Sequence, residues 1–191
     1  MKKFAGLFVF SLLLGLPTMA QDTPVYEIEG GYTLRSYYPP SAARFVMNGW
    51  NVTGDYNIKR WLGVAADLSG TYKNQGVDGT TDIYAIVVGP RVHPFRHRHK
   101  LDLYGQLLFG AGYIRNTIPA AGGFPTLSKS DFSSAVVAGA GIDLRISEHW
   151  SVRLIEFDYE NTRFFSSATT GTANQDNFRI SIGISRRFGE K

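Results

Sequence analysis

The chain contains no cysteine, so it can build neither a disulfide framework nor a thiolate metal site. That absence also excludes anchoring through a lipid-modified cysteine. After residue 20 there is no apolar run long enough to cross a bilayer as a helix, which takes about 20 residues. No window keeps a 3.6-residue apolar period, so a long amphipathic helix is not expected. Charge of one sign is also scarce. Twenty Lys+Arg face 16 Asp+Glu, and without Lys2 and Lys3 the balance is 18 against 16, too even to point to nucleic acid. Stability must therefore come from packing or from a closed hydrogen-bond network.

What is present begins with an export pattern. Met1-Lys2-Lys3 is a short positive segment, Phe4 to Leu16 is apolar apart from Gly and Ser, and Thr18 and Ala20 place small residues at the −3 and −1 positions of a cleavage site. This is a secretory signal peptide, expected over residues 1–20 with cleavage between Ala20 and Gln21. The single domain then covers residues 21–191.

Beyond the leader, the recurring signal is alternation with period two, the mark of strands. Eight such segments are expected, near 25–35, 43–56, 60–72, 81–93, 100–114, 132–146, 149–160 and 176–188. Strands of soluble domains average about 5–6 residues, whereas a tilted membrane-crossing strand needs about 9–11. The connections alternate as well. Residues 57–59, 94–99 and 147–148 are short turns. Residues 36–42, 73–80, 115–131 and 161–175 are longer, and rich in Gly, Ser, Thr, Asn and Pro. Short turns at one end and long loops at the other are the pattern of outer-membrane barrels. The expected fold is all-β, an eight-stranded antiparallel up-and-down transmembrane β-barrel.

In such a barrel apolar side chains face lipid and polar ones face the lumen. The last strand sets Phe178, Ile180, Ile182 and Ile184 against Arg179, Ser181, Gly183, Ser185 and Arg187. The first sets Tyr26, Ile28, Tyr32 and Leu34 against Glu27, Glu29, Thr33 and Arg35, and the seventh sets Ile155, Phe157 and Tyr159 against Glu156, Asp158 and Glu160. Eight strands enclose a space only wide enough for side chains, and charges buried there must be paired. The expected lumen network comprises Glu27, Glu29, Asp67, Asp102, Asp143, Glu156 and Asp158 with Arg35, Arg91, Arg145, Arg179 and Arg187. Tyr26, Trp50, Tyr56, Trp61, Tyr72, Tyr113, Trp150 and Tyr159 lie near strand ends and suit the two aromatic girdles of a barrel.

Several stretches carry a family likeness: Gly49-Trp50-Asn51, the run from Asn57 to Gly70, Gly89-Pro90-Arg91, Phe109-Gly110-Ala111-Gly112, Gly139-Ala140-Gly141-Ile142-Asp143, and Trp150 to Tyr159. Together they resemble the outer-membrane β-barrel domain family, the OmpA-like and OmpX-like eight-stranded barrels, over essentially the whole mature chain. The resemblance implies assembly by the outer-membrane insertion machinery. One departure is that Phe188 is followed by Gly189-Glu190-Lys191, where such barrels usually end on an aromatic residue.

Candidate chemistry is sparse. His149-Trp150-Ser151 has the His-x-Ser spacing of some lipid A deacylases, with Glu156 or Glu160 following. Strict alternation puts Glu156 on the opposite face from Ser151, and His149 falls at a turn on the wrong side for lipid A, so no catalytic residue is assigned. His93, His97 and His99 lie among Arg and Lys without an acidic ligand, which reads as a solvated basic turn near anionic headgroups. No metal or cofactor is assigned. Gly110-Ala111-Gly112 and Gly139-Ala140-Gly141 precede no helix, so they mark tight packing in strands.

The expected function is non-enzymatic: an outer-membrane barrel with a plugged lumen, acting in envelope structure or adhesion through external loops. A small-solute pore and a lipid A-modifying enzyme are the alternatives. Expected partners are phospholipid and lipopolysaccharide, the assembly machinery, and a surface partner at loops 115–131 and 161–175.

Overall fold

The computed structural model describes residues 24–39, 43–76, 79–95, 100–120, 125–166, 171–172 and 174–190. The expected leader cleavage site and the imidazoles of His97 and His99 lie outside them. Among the described residues there are ten strands: β1 (Pro24–Tyr37), β2 (Phe45–Lys59), β3 (Leu62–Asn74), β4 (Thr80–Val92), β5 (Leu101–Ile118), β6 (Leu127–Arg145), β7 (Trp150–Thr162), β8 (Phe165–Ser166), β9 (Gly171–Thr172) and β10 (Gln175–Glu190). Eight of them form one closed antiparallel barrel, with each strand beside its chain neighbour and β10 closing on β1. The short strands β8 and β9 pair with each other, inside the connection between β7 and β10.

Closure follows from the backbone. A strand edge facing hydrocarbon leaves N–H and C=O groups without partners, and pairing β1 with β10 from Pro24↔Glu190 to Ser36↔Phe178 removes both edges. The register also fixes the tilt. One circuit of paired residues runs from Trp150 through Arg186, Ile28, Gly54, Ala66, Val88, Phe109 and Val136, and returns to β7 at Asn161. That point lies eleven residues beyond the start, one of them a bulge residue. A stagger of this size tilts the strands and sets the bore of the barrel.

Two differences from the expected boundaries matter. The 115–131 segment is mostly not a loop. β5 and β6 continue through it, pairing Arg115 with Ser130 and Ile118 with Leu127, so the connection shrinks to 119–126. Cross-strand pairing is cheap to extend where Ser, Thr and Asn can hydrogen-bond with water on both faces. Asn57–Lys59 is likewise not the turn. These residues stay in β2, a register shift falls between Asn57 and Lys59, and the chain reverses at Arg60-Trp61. In the β3–β4 connection Gly76 and Gly79 have φ of 67° and 103°, a left-handed backbone that favours glycine.

Side chains alternate inward and outward along each strand. Outward, Leu68, Ile86, Val88, Leu107, Ile180 and Ile182 form an exposed aliphatic band. Inward, the buried residues are mostly polar or charged, with two small apolar clusters. One is Ala65, Val87, Leu108, Ala135 and Val137. The other, toward the long-loop end, is Tyr37, Met47, Ile83, Ile114 and Phe164, with Phe45 packed against it.

Candidate functional site: the barrel interior and its rims

The interior is organised by four arginines, Arg35, Arg91, Arg153 and Arg179, all at most 1% exposed. Arg153 donates to Asp143 at 3.0 Å and to Glu156 at 2.7 Å, and its third nitrogen meets Glu29. Arg91 donates to Asp55 at 2.6 Å and to the Gln106 amide oxygen at 2.6 and 3.0 Å. Both guanidinium groups lie over the Tyr104 ring, Arg91 at 4.4 Å and Arg153 at 4.7 Å from its centroid, and the Tyr104 hydroxyl donates to Glu156. Such stacking is attractive because the ring face is electron-rich. Toward the long-loop end, Arg179 joins Asp67 at 2.6 Å to Asp158 at 2.8 Å. Arg35 pairs with Glu160 at 2.9 Å.

Neutral groups link these clusters. Gln106 donates to Asp158 at 2.9 Å and Thr53 to Asp67 at 3.0 Å. At the turn end, Asn57 and Arg187 both donate to Glu27, at 2.9 and 3.2 Å. Space for these long side chains is made by glycines. A Cβ at Gly141 would run into the Tyr104 ring, and one at Gly139 into the Asp158 carboxylate.

Each residue of the expected network can be placed. Glu27, Glu29, Arg35, Asp67, Arg91, Asp102, Asp143, Glu156, Asp158, Arg179 and Arg187 are buried inside, and Arg145 is half-buried at the turn end. Sequence reasoning missed Arg153, Asp55 and Tyr104, and did not count Glu160 in the network. Among the described residues, nine buried carboxylates face five buried arginines and His93.

Arg153 was missed because β7 is bulged. Ile142 pairs with Ile155 but Asp143 pairs with Arg153, so Leu154 is an extra residue. Leu154 and Ile155 both face outward, and Arg153 and Glu156 both face inward. Bulges break the period-two count in this way. The consecutive apolar pair Leu154-Ile155 is the sequence signal that could have revealed it.

The bulge corrects a second expectation. Ser151 and Glu156 are both buried on the inner face, at 0% and 1% exposure, and are not on opposite faces. They do not form a triad with His149. That residue is exposed, the Ser151 hydroxyl is 2.6 Å from that of Ser185, and Glu156 is engaged by Arg153 and Tyr104. His93 also departs from its expected place in a solvated turn. It is buried inside, with Nδ1 3.2 Å from Asp102, because it continues the inward parity of Arg91.

Outward aromatics line both rims, while Phe109 and Phe157 lie within the aliphatic band, paired with Val88 and Ile180. At the long-loop end, the Trp50 indole donates to the Tyr72 hydroxyl at 3.0 Å. Tyr72, Tyr84, Tyr113 and Phe132 then follow ring to ring at centroid separations of 5.7, 6.4 and 4.7 Å. Tyr159 sits against Phe178 at 5.8 Å. At the turn end, Tyr26 packs on Tyr56 at 5.2 Å, and Trp61 and Trp150 each carry a cation near the ring, Lys59 and Arg186.

The molecule is thus a closed, tilted barrel with a charged interior and an apolar wall. The outer membrane protein beta-barrel domain family matches residues 6–188. The chain belongs to this family. Its place is the outer membrane of a Gram-negative-type bacterium. No curated protein matches the chain. Solved structures do. Ail, the attachment invasion locus protein of Yersinia pestis, is similar at 21% identity, with a TM-score of 0.63 over 89% of this chain and 100% of that one. Neisserial surface protein A is similar at 11% identity and a TM-score of 0.67, over 88% of this chain and 99% of that one. OprG of Pseudomonas aeruginosa is similar at 13% identity and 0.54, over 88% and 98%. At these identities the likeness is one of fold.

Proposed function

We propose that this barrel is a non-conducting, non-enzymatic scaffold that holds surface-exposed structure in place. The observation that carries the reading is the cross-brace of Arg91, Tyr104 and Arg153, which ties β4, β5 and β7 together and reaches Glu29 on β1. A lumen of eight strands has little room beyond its own side chains, and this brace crosses it in the turn-side half. The buried cluster around Met47 and Phe164 adds a second, apolar layer near the mouth. The test is single-channel recording in planar bilayers. Silence, or rare small events, is expected, and a steady large conductance would overturn the plugged lumen.

The long-loop end is the part left to engage something outside, since in this family's architecture short turns face the periplasm and long connections face out. Among the described residues the longest strands there are β5 and β6, which carry Arg115 and Lys129 on exposed positions. Ail, an attachment protein by name, has been solved with the heparin analogue sucrose octasulfate, and a polyanionic surface partner is compatible with those two cations. Lipopolysaccharide at the outer wall and the insertion machinery during assembly complete the proposed partners. Against the lipid A-modifying alternative stands the separation of exposed His149 from buried Ser151. Mass spectrometry of lipid A from cells with the wild-type chain and with Ser151→Ala should give identical species.

A further inference from the structure

The outer wall is not uniform near the turn end. Where most outward positions carry large side chains, β2 and β3 place Gly54 and Ala66 side by side in register. A Cβ at Gly54 would meet nothing within 4 Å. The result is a groove of about 530 Å³ in the lipid-facing wall. Tyr26, Ile28, Tyr56, Val64 and Phe188 form its sides, and all five are exposed. Glu27 and Asp55 also border it, but their carboxylates turn inward, onto Arg187 and Arg91. The groove is therefore an apolar slot open to hydrocarbon.

A cation stands at its edge. Arg186 breaks the apolar outward series of Ile180, Ile182 and Ile184, and is paired in register with Ile28 of the groove wall. Its guanidinium lies 5.2 Å from the centroid of Phe188, itself a groove residue, and 5.5 Å from that of Trp150 on the other side. Arg186 is exposed, and a guanidinium drawn to two ring faces keeps N–H donors for a further partner. An arginine on a lipid-facing wall is unfavourable unless it lies near the interface and finds an anionic partner. A bidentate phosphate is the partner a guanidinium fits best.

We infer that this face binds one glycerophospholipid of the turn-side leaflet, an acyl chain lying in the groove floored by Gly54 and Ala66 and the phosphate resting on Arg186. The two halves of the site match the two halves of the molecule. The groove takes the chain by shape, and Arg186 takes the headgroup by charge.

The test is native mass spectrometry of the full barrel in detergent, after incubation with dioleoylphosphatidylglycerol and, separately, purified lipid A. The wild type is expected to retain one phosphatidylglycerol after detergent exchange. Arg186→Gln and Gly54→Leu are each expected to lower that occupancy by about fivefold or more, the scale of losing one charge-assisted contact. Boiling-dependent gel mobility checks that each variant is folded, and Ala66→Leu replaces Gly54→Leu if the latter is not. Equal retention by all variants, dependence on only one half of the site, or stronger retention of lipid A overturns the assignment.

Discussion

The two faces of the same strands obey opposite rules. On the outer face of β10, Ile180, Ile182 and Ile184 need only be apolar, since lipid adapts to whatever shape they present. On its inner face Arg179 needs Asp67 from β3 and Asp158 from β7 at 2.6 and 2.8 Å. The interior thus depends on particular partners brought from distant parts of the chain, and the wall depends on composition. The bulged strand β7 shows both rules at once: Leu154 and Ile155 can sit side by side outward, while inward Arg153 must find three carboxylates.

The difference can be broken most severely from inside. Arg153→Met leaves Glu29, Asp143 and Glu156 facing one another without their shared cation. The expected loss is about 3–5 kcal/mol, read as a lower urea midpoint in micelles. Because buried carboxylates already outnumber buried arginines, removing an acid such as Glu29 by Glu29→Gln should cost less than removing the arginine. An equal or larger loss would show that desolvation of Arg153 governs and charge balance does not. From outside, Ile86→Arg at the middle of β4 puts a charge where only lipid is available. About 2–4 kcal/mol is expected for a midplane position, by the same measurement. If that variant proves neutral, Ile86 does not face hydrocarbon. The smallest effect belongs to the rim. Tyr113→Leu keeps an apolar side chain but removes ring contacts to Tyr84 and Phe132, for a loss of about 1 kcal/mol.

The same contrast explains what could be read from the sequence. Composition rules act along a single strand, so strand parity and the apolar band could be read from alternation alone. Glu27, Glu29 and Arg35 fall on the inner face by the same count that puts Ile28 and Leu34 outside. Partner rules act between strands. Nothing local in the sequence says that Arg179 meets Asp67, 112 residues away, or that Tyr104 meets two guanidinium groups. Parity itself failed where one residue was inserted, at Leu154, and that single step hid Arg153. The long hairpin was hidden for another reason. Ser, Thr and Asn suit a water-exposed strand and a loop equally, so the 115–131 segment carried no signal of its extension.

The ion pairs of the interior have a consequence for how the barrel comes together. Arg153 on β7 meets Glu29 on β1, and Arg187 on β10 meets Glu27 on β1. Neither pair can exist while the sheet is open. A half-inserted sheet would present these charges toward lipid, without the neighbours that offset their dehydration. Partial insertion therefore has no stable resting point, and the first and last strands must meet at nearly the moment the interior dries. The step is then expected to be all-or-none in time, its rate set by the encounter of β1 with β10 and scarcely by how fast the middle strands form.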